Sequence, residues 1–187
     1  MNSIDLESLF SELHRQKENE EWVLCTELCK KALPEVSFED FKDWYALRFN
    51  LASCLLKVKS PPSVDEAIDC LTNMLGKLPE TSCEWMATCL SLGYAYGQKT
   101  SGPRTQNMRR SAEYFRYAQP GIDKGTDPLL WASIRTHLAA ALTEIGDAKS
   151  RPEILAAVDD AEKVFAAHSC KEELAEVRQV LRNLERE

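Results

Sequence analysis

Three tryptophans, Trp44, Trp85 and Trp131, are each followed seven residues later by a leucine and then by Ala or Gly: Leu51-Ala52, Leu92-Gly93 and Leu138-Ala139. The tryptophans lie 41 and 46 positions apart. A recurrence of that length is the mark of helix pairs stacked side by side. A single pair cannot bury its apolar face, so such a chain must fold as an array in which each pair covers the next. Arrays of this kind build surfaces more readily than catalytic pockets.

The apolar residues around each tryptophan follow a helical period. Trp131, Ile134, Leu138, Ala141 with Leu142, and Ile145 form one stripe, and strand-like alternation is nearly absent. Trp85, Thr88 with Cys89, Leu92 and Tyr96 repeat that stripe, as do Trp44, Leu47, Leu51, Leu55 and Val58. The small residue after each leucine allows a partner helix to approach closely. The partner helices alternate small and large at matching offsets: Ala67/Leu71/Met74, Ser111/Phe115/Ala118 and Ala157/Ala161/Val164. Breakers fall between these segments. Pro34, Pro61-Pro62, Gly102-Pro103, Pro120-Gly121, Asp127-Pro128 and Gly146-Asp147 punctuate the chain, with Ser63 and Glu66 set as a capping box. The expectation is an all-α, right-handed α-solenoid forming a single domain over 1–187. Its pairs cover 4–33, 38–77, 82–119 and 128–168, with a capping helix over 170–186.

The chain has 187 residues and a formal charge of −7, which argues against nucleic-acid binding driven by overall charge. Its seven cysteines are odd in number and sit mostly among apolar neighbours, as free thiols do in a reducing compartment. Met1 to Glu7 is acidic and amphipathic, unlike a signal peptide, and no apolar run approaches membrane-spanning length. A soluble, cytoplasmic protein is expected.

The middle unit carries a more specific signature. Leu92-Gly93-Tyr94-Ala95-Tyr96, followed by Ser111, Phe115 and Ala118, resembles the tetratricopeptide repeat (TPR). The opening pair is similar, with Cys25, Cys29, Ala32-Leu33 and Pro34. Trp85-Met86-Ala87, then Leu92 to Tyr96, then Gly102-Pro103-Arg104-Thr105-Gln106-Asn107, resembles a longer bacterial variety of the repeat. That variety accompanies CHAT (caspase-like) proteases and other conflict-system effectors. The first and third units lack the Arg and Asn of the loop, and Leu55 and Leu142 replace the tyrosine. The resemblance implies a TPR-like array whose first helices line a concave face. Carried over position by position, that face holds Phe49, Ser53 and Lys57, then Leu90, Tyr94 and Gln98, then Thr136, Ala140 and Thr143. The large apolar members among them suit a peptide or helix partner.

Other candidate sites are fewer. Lys99, Arg104, Arg109, Arg110 and Arg116 stand against Glu113 alone, a local excess of four positive charges in an acidic chain. They read either as a docking patch for an acidic partner, nucleic acid or anionic ligand, or as a solvated helix face with one arginine fixing the loop. Gly97 and Gly102 have the spacing of a phosphate-binding loop, but Pro103-Arg104 occupy the place of the required Lys-Ser/Thr. Cys25 and Cys29 share a helix face without the further ligands of a closed zinc site. His168 and Cys170 lack a third orienting group, and the tryptophans read as packing residues in the seams between repeats. No cofactor, metal or catalytic residue is expected, and no enzymatic activity. The expected role is an adaptor for a protein or peptide, an effector-system component among the candidates. Nucleic acid is disfavoured, no membrane association is expected, and the chain would be a monomer or homodimer. The last helix (Leu174, Val177, Leu181, Leu184) either pairs with another copy or, as its polar Arg178, Arg182 and Glu185 favour, caps the array.

Overall fold

The computed structural model describes residues 5–186. Among them are nine α-helices and three short 3-10 turns, with no strand. The chain divides into two compact units, Met1–Leu78 and Pro79–Glu187.

Unit 1 holds four helices, each packed on the next: α1 (Leu6–Glu18), α2 (Trp22–Ala32), α3 (Phe41–Val58) and α4 (Pro61–Leu75). Asp5 caps α1 by accepting from the backbone N–H groups of Glu7 and Ser8. Leu13, Cys25, Cys29, Ala32, Leu47, Cys54, Leu55, Ala67, Leu71 and Met74 form the core, all at most 2% exposed. The start of α4 differs from expectation. The capping residue is Ser60, whose Oγ accepts from Ser63 N–H at 3.3 Å, and not Ser63. Pro61 and Pro62 cost nothing there, since they lack only N–H groups that a first turn leaves unpaired. Their fixed φ moves the helix start three residues earlier.

Unit 2 holds α5 (Cys83–Gln98), α6 (Arg104–Ala118), α7 (Pro128–Ile145), α8 (Arg151–Ala167) and α9 (Lys171–Leu184). Successive helices pack together, and α9 lies against both α8 and α7. Asp127 caps α7 through Leu130 N–H with Pro128 in the first turn, as the sequence signals. Gly146, at φ 70°, ends α7 in the left-handed conformation. The small residue after each repeat leucine is buried: Ala52 and Ala139 are at most 1% exposed, and Gly93 is buried on α5. At Gly93 the reason is explicit. A Cβ there would lie 2.8 Å from two Phe115 ring atoms. Overpacking of that kind costs about 1–3 kcal/mol, which outweighs the roughly 1 kcal/mol that Ala gains over Gly in a helix.

The tryptophans are unequally buried. Trp44 is 2% exposed, whereas Trp85 and Trp131 are half-buried. The Trp131 ring carries Lys124 at 4.5 Å and Arg135 at 5.4 Å, and Trp85 packs on Tyr117. Ion pairs repeat with the fold: Lys30 on α2 reaches Glu66 on α4, and Arg116 on α6 reaches Glu153 on α8, both at 2.7 Å. Each ties the second helix of one pair to the second helix of the next.

Candidate functional site

Small residues on α5 and α7 leave space between these helices. Gly93, Gly97, Ala140 and Ala141, with Ser111 of α6, border a cavity of about 270 Å³ within unit 2. Phe115 and His137 also line it, and Tyr94, Gln98, Arg104 and Glu144 complete its wall. Its position follows from the repeat: α5 and α7 are both first helices, and the residues that bring neighbouring helices close are too small to fill the gap beside them.

His137 is the titratable group set among the cavity's aromatic rings. Its ring lies nearly parallel to Phe115 (centroids 5.8 Å apart, 14°) and edge-on to Tyr94 (4.8 Å, 84°). Burial lowers its pKa below the ordinary histidine value, so the imidazole is neutral at pH 7. It makes no hydrogen bond among the described residues, and neither does the Gln98 side chain. The Tyr94 hydroxyl lies 3.3 Å from Ser133 Oγ, and burial raises its pKa despite that partner.

Arg104 closes one end of the cavity. Its guanidinium grips Glu144 through two parallel hydrogen bonds, one of them Nη2 to Oε2 at 2.8 Å. Its Nη1 donates to the carbonyls of Gly97 (2.8 Å) and Lys99 (3.2 Å). Asn107 donates from Nδ2 to the carbonyls of Lys99 and Ser101. The Arg and Asn of the Gly-x-Arg-x-x-Asn segment therefore hold the turn that precedes it by satisfying the carbonyls of Gly97, Lys99 and Ser101, and the arginine also bridges to α7.

The expected concave-face residues have different fates. Tyr94, Gln98 and Ala140 come together at the cavity. Leu90 is half-buried against the unit 2 core. Thr136 and Thr143 are each only 4% exposed, and their hydroxyls donate to the carbonyls of Ala132 and Ala139. They offer no surface, because α7 is packed against α6, α8 and α9. In unit 1, Phe49 stacks on Tyr45 at 5.4 Å, Ser53 donates to the Phe49 carbonyl at 2.7 Å, and Lys57 lies 5.9 Å from the Trp22 ring.

The basic run is largely neutralised in space. Arg104 pairs with Glu144, Arg110 with Glu113 and Arg116 with Glu153. Lys99 is engaged as well, which leaves Arg109 as the cation of that run without an ion pair among the described residues. Sequence reasoning missed Glu144, Glu153 and the role of His137. The signal that could have found the two glutamates is their separation from Arg104 and Arg116, 40 and 37 residues, about one repeat.

Cys25 and Cys29 are fully buried, and desolvation pushes the Cys29 thiol up to about 12. His168 Nδ1 sits 2.9 Å from the Val164 carbonyl, and Cys170 donates weakly to the His168 carbonyl. Among the described residues no three His, Cys, Asp or Glu side chains converge to hold a metal. No helix among them is long and apolar enough to cross a membrane.

No family model and no curated protein matches this sequence. Among solved structures, the fold is similar to a Podosopora anserina chain assigned as a kinesin light chain with nearly identical TPR-like repeats. The TM-score is 0.61 at 16% identity, covering 97% of this chain and 97% of that one. A single-substitution variant of the same protein aligns equally well. At that identity the likeness concerns the fold, which is TPR-like.

Proposed function

We propose that this chain is a non-enzymatic interaction scaffold that receives a peptide segment of a partner protein on the first-helix face of unit 2, with one side chain entering the α5–α7 cavity. The supporting observation is the cavity's composition. It has an aromatic wall of Phe115, Tyr94 and His137, and two polar side chains, His137 and Gln98, whose hydrogen-bonding capacity is open. Pockets that join an apolar wall to a few polar groups orient a ligand as well as hold it. A volume of about 270 Å³ suits one large side chain with a polar end rather than a cofactor. The reading of the Arg104–Arg116 run as a nucleic-acid or anion site is weakened, since three of its arginines already face carboxylates. A cytoplasmic setting is supported by the cysteine pattern of the sequence, and an effector-system partner rests on the resemblance of the middle unit alone.

The test uses a displayed library of random peptides selected on the full chain. Selected peptides are then measured against Ala140→Phe, which fills the cavity from a half-buried position, and against Gln98→Ala. Both variants should weaken binding tenfold or more, about 1.4 kcal/mol, with unchanged helicity. Equal binding to Ala140→Phe would overturn the assignment.

A further inference from the structure

Unit 1 exposes a second surface, unrelated to the cavity. α2 buries Cys25, Thr26, Cys29 and Ala32 against its neighbours, yet its first turn leaves Val23 61% and Leu24 40% exposed. Val23 is the most exposed large apolar side chain among the described residues. Trp22 and Val58, both half-buried, continue the apolar surface across to the end of α3, bordering an open depression of about 540 Å³. Two adjacent apolar side chains on the first turn of an amphipathic helix carry a solvation cost that a purely structural helix avoids.

The rim of this depression is acidic. Glu20, Glu21 and Glu27 line it and make no ion pair among the described residues. Glu21 stands at the N-cap of α2 without a side-chain capping bond, so its carboxylate is not engaged there. The one cation of the rim, Lys57, lies over the Trp22 ring. Three carboxylates beside an apolar floor select against an anionic membrane surface. They also disfavour a second copy of this chain, whose net charge is −7.

We infer that the Trp22–Leu24 face of unit 1 docks a basic amphipathic helix, its apolar side on Val23, Leu24 and Trp22 and its cationic side toward Glu20, Glu21 and Glu27. A helix is the occupant because Val23 and Leu24 with Glu27 one turn on form the kind of ridge that a crossing helix packs against. This surface shares no residue with the cavity of unit 2, so the two assignments stand or fall separately.

The test is calorimetric titration of the full chain with a synthetic amphipathic helix bearing Leu on one face and Lys on the other. A version with Glu in place of Lys serves as the first control. Two variants separate the apolar from the charged contribution: Val23→Ser with Leu24→Ser, and Glu20→Gln with Glu21→Gln and Glu27→Gln. The expected result is saturable binding of the Lys peptide, none of the Glu peptide, and roughly tenfold weakening in each variant. Salt should weaken binding to the wild type and to the serine variant alike. The serine variant is decisive because it leaves the charge untouched: unchanged affinity would mean diffuse attraction to an acidic protein and overturn the docking site. Absence of saturable binding, or equal binding of the Glu peptide, would overturn it too.

Discussion

At the scale of single residues, the most consequential group is His137. Its ring is held flat on Phe115 and edge-on to Tyr94, and its pKa is lowered by burial below the ordinary 6.5. The groups that also border its cavity are Tyr94, Gln98, Arg104 and Glu144, and Arg104 and Glu144 neutralise each other. The folded state therefore resists protonation while the unfolded state accepts it. For a lowered histidine pKa, the contribution to stability is complete above 6.5 and is lost as pH falls from there toward the folded value. The melting temperature should drop between about pH 7 and about pH 5, a window in which the unfolded imidazole gains its proton. His137→Phe keeps a ring on Phe115 and removes the proton site, so its melting temperature should change less over the same range. Glu12, lowered to about 2 chiefly by its hydrogen bond from Arg15, titrates outside that window. A wild type and variant with parallel pH profiles would refute the role given to His137.

At the scale of elements, α9 has the most distinct amphipathic pattern. Val177 is fully buried, Val180 and Leu184 are nearly so, and Arg182 with Gln179 and Asn183 form a hydrogen-bonded polar face. Removing Val177 from water contributes roughly 1.5–3 kcal/mol. Burying a carboxylate in its place costs several kcal/mol more, so Val177→Asp should detach α9 and not merely loosen it. Hydrogen exchange would then rise across residues 171–184 and along the α7 stripe of Ala132, Thr136, Ala139 and Thr143, which are all buried in the intact fold. Protection that stays unchanged on α7 would mean that α9 does not cover that stripe. The same helix explains which parts of the site were legible in sequence. The 3.6-residue period located the nine helices of the described residues, and the repeat resemblance put Tyr94 and Gln98 on a concave face, without signalling the cavity they border. Periodicity on α7 alone gives no account of what packs on its other side, so Thr136 and Thr143 read as surface. The ion pairing of the basic run was hidden for a related reason. Its neutralising carboxylates, Glu144 and Glu153, come from α7 and α8, and charge counted along α6 cannot include them.

At the scale of the whole molecule, the chain is two packed units. The core of unit 2 draws Met108, Ala112 and Phe115 from α6, Ile134, Leu138 and Leu142 from α7, Ile154, Val158 and Phe165 from α8, and Val177 from α9. Every one of these is at most 3% exposed. The ion pairs Arg104–Glu144, Arg116–Glu153 and Arg135–Asp160 close within the same unit. Their partly exposed positions limit each to a fraction of a kcal/mol up to about 1 kcal/mol, so burial rather than charge holds the unit together. In a repeat fold, stability is approximately a sum of unit and nearest-neighbour terms, and a stretch with a closed core can fold without the rest. Residues 79–187 expressed alone should therefore be helical and unfold in urea in one cooperative step, with a slope of about 1–3 kcal/mol per molar denaturant. The repeat tryptophans Trp85 and Trp131 both lie inside that fragment and report on α5 and α7, so their fluorescence should change together with far-ultraviolet dichroism. Fluorescence and dichroism transitions that separate, or a shallow featureless curve, would show that the core of unit 2 is insufficient by itself.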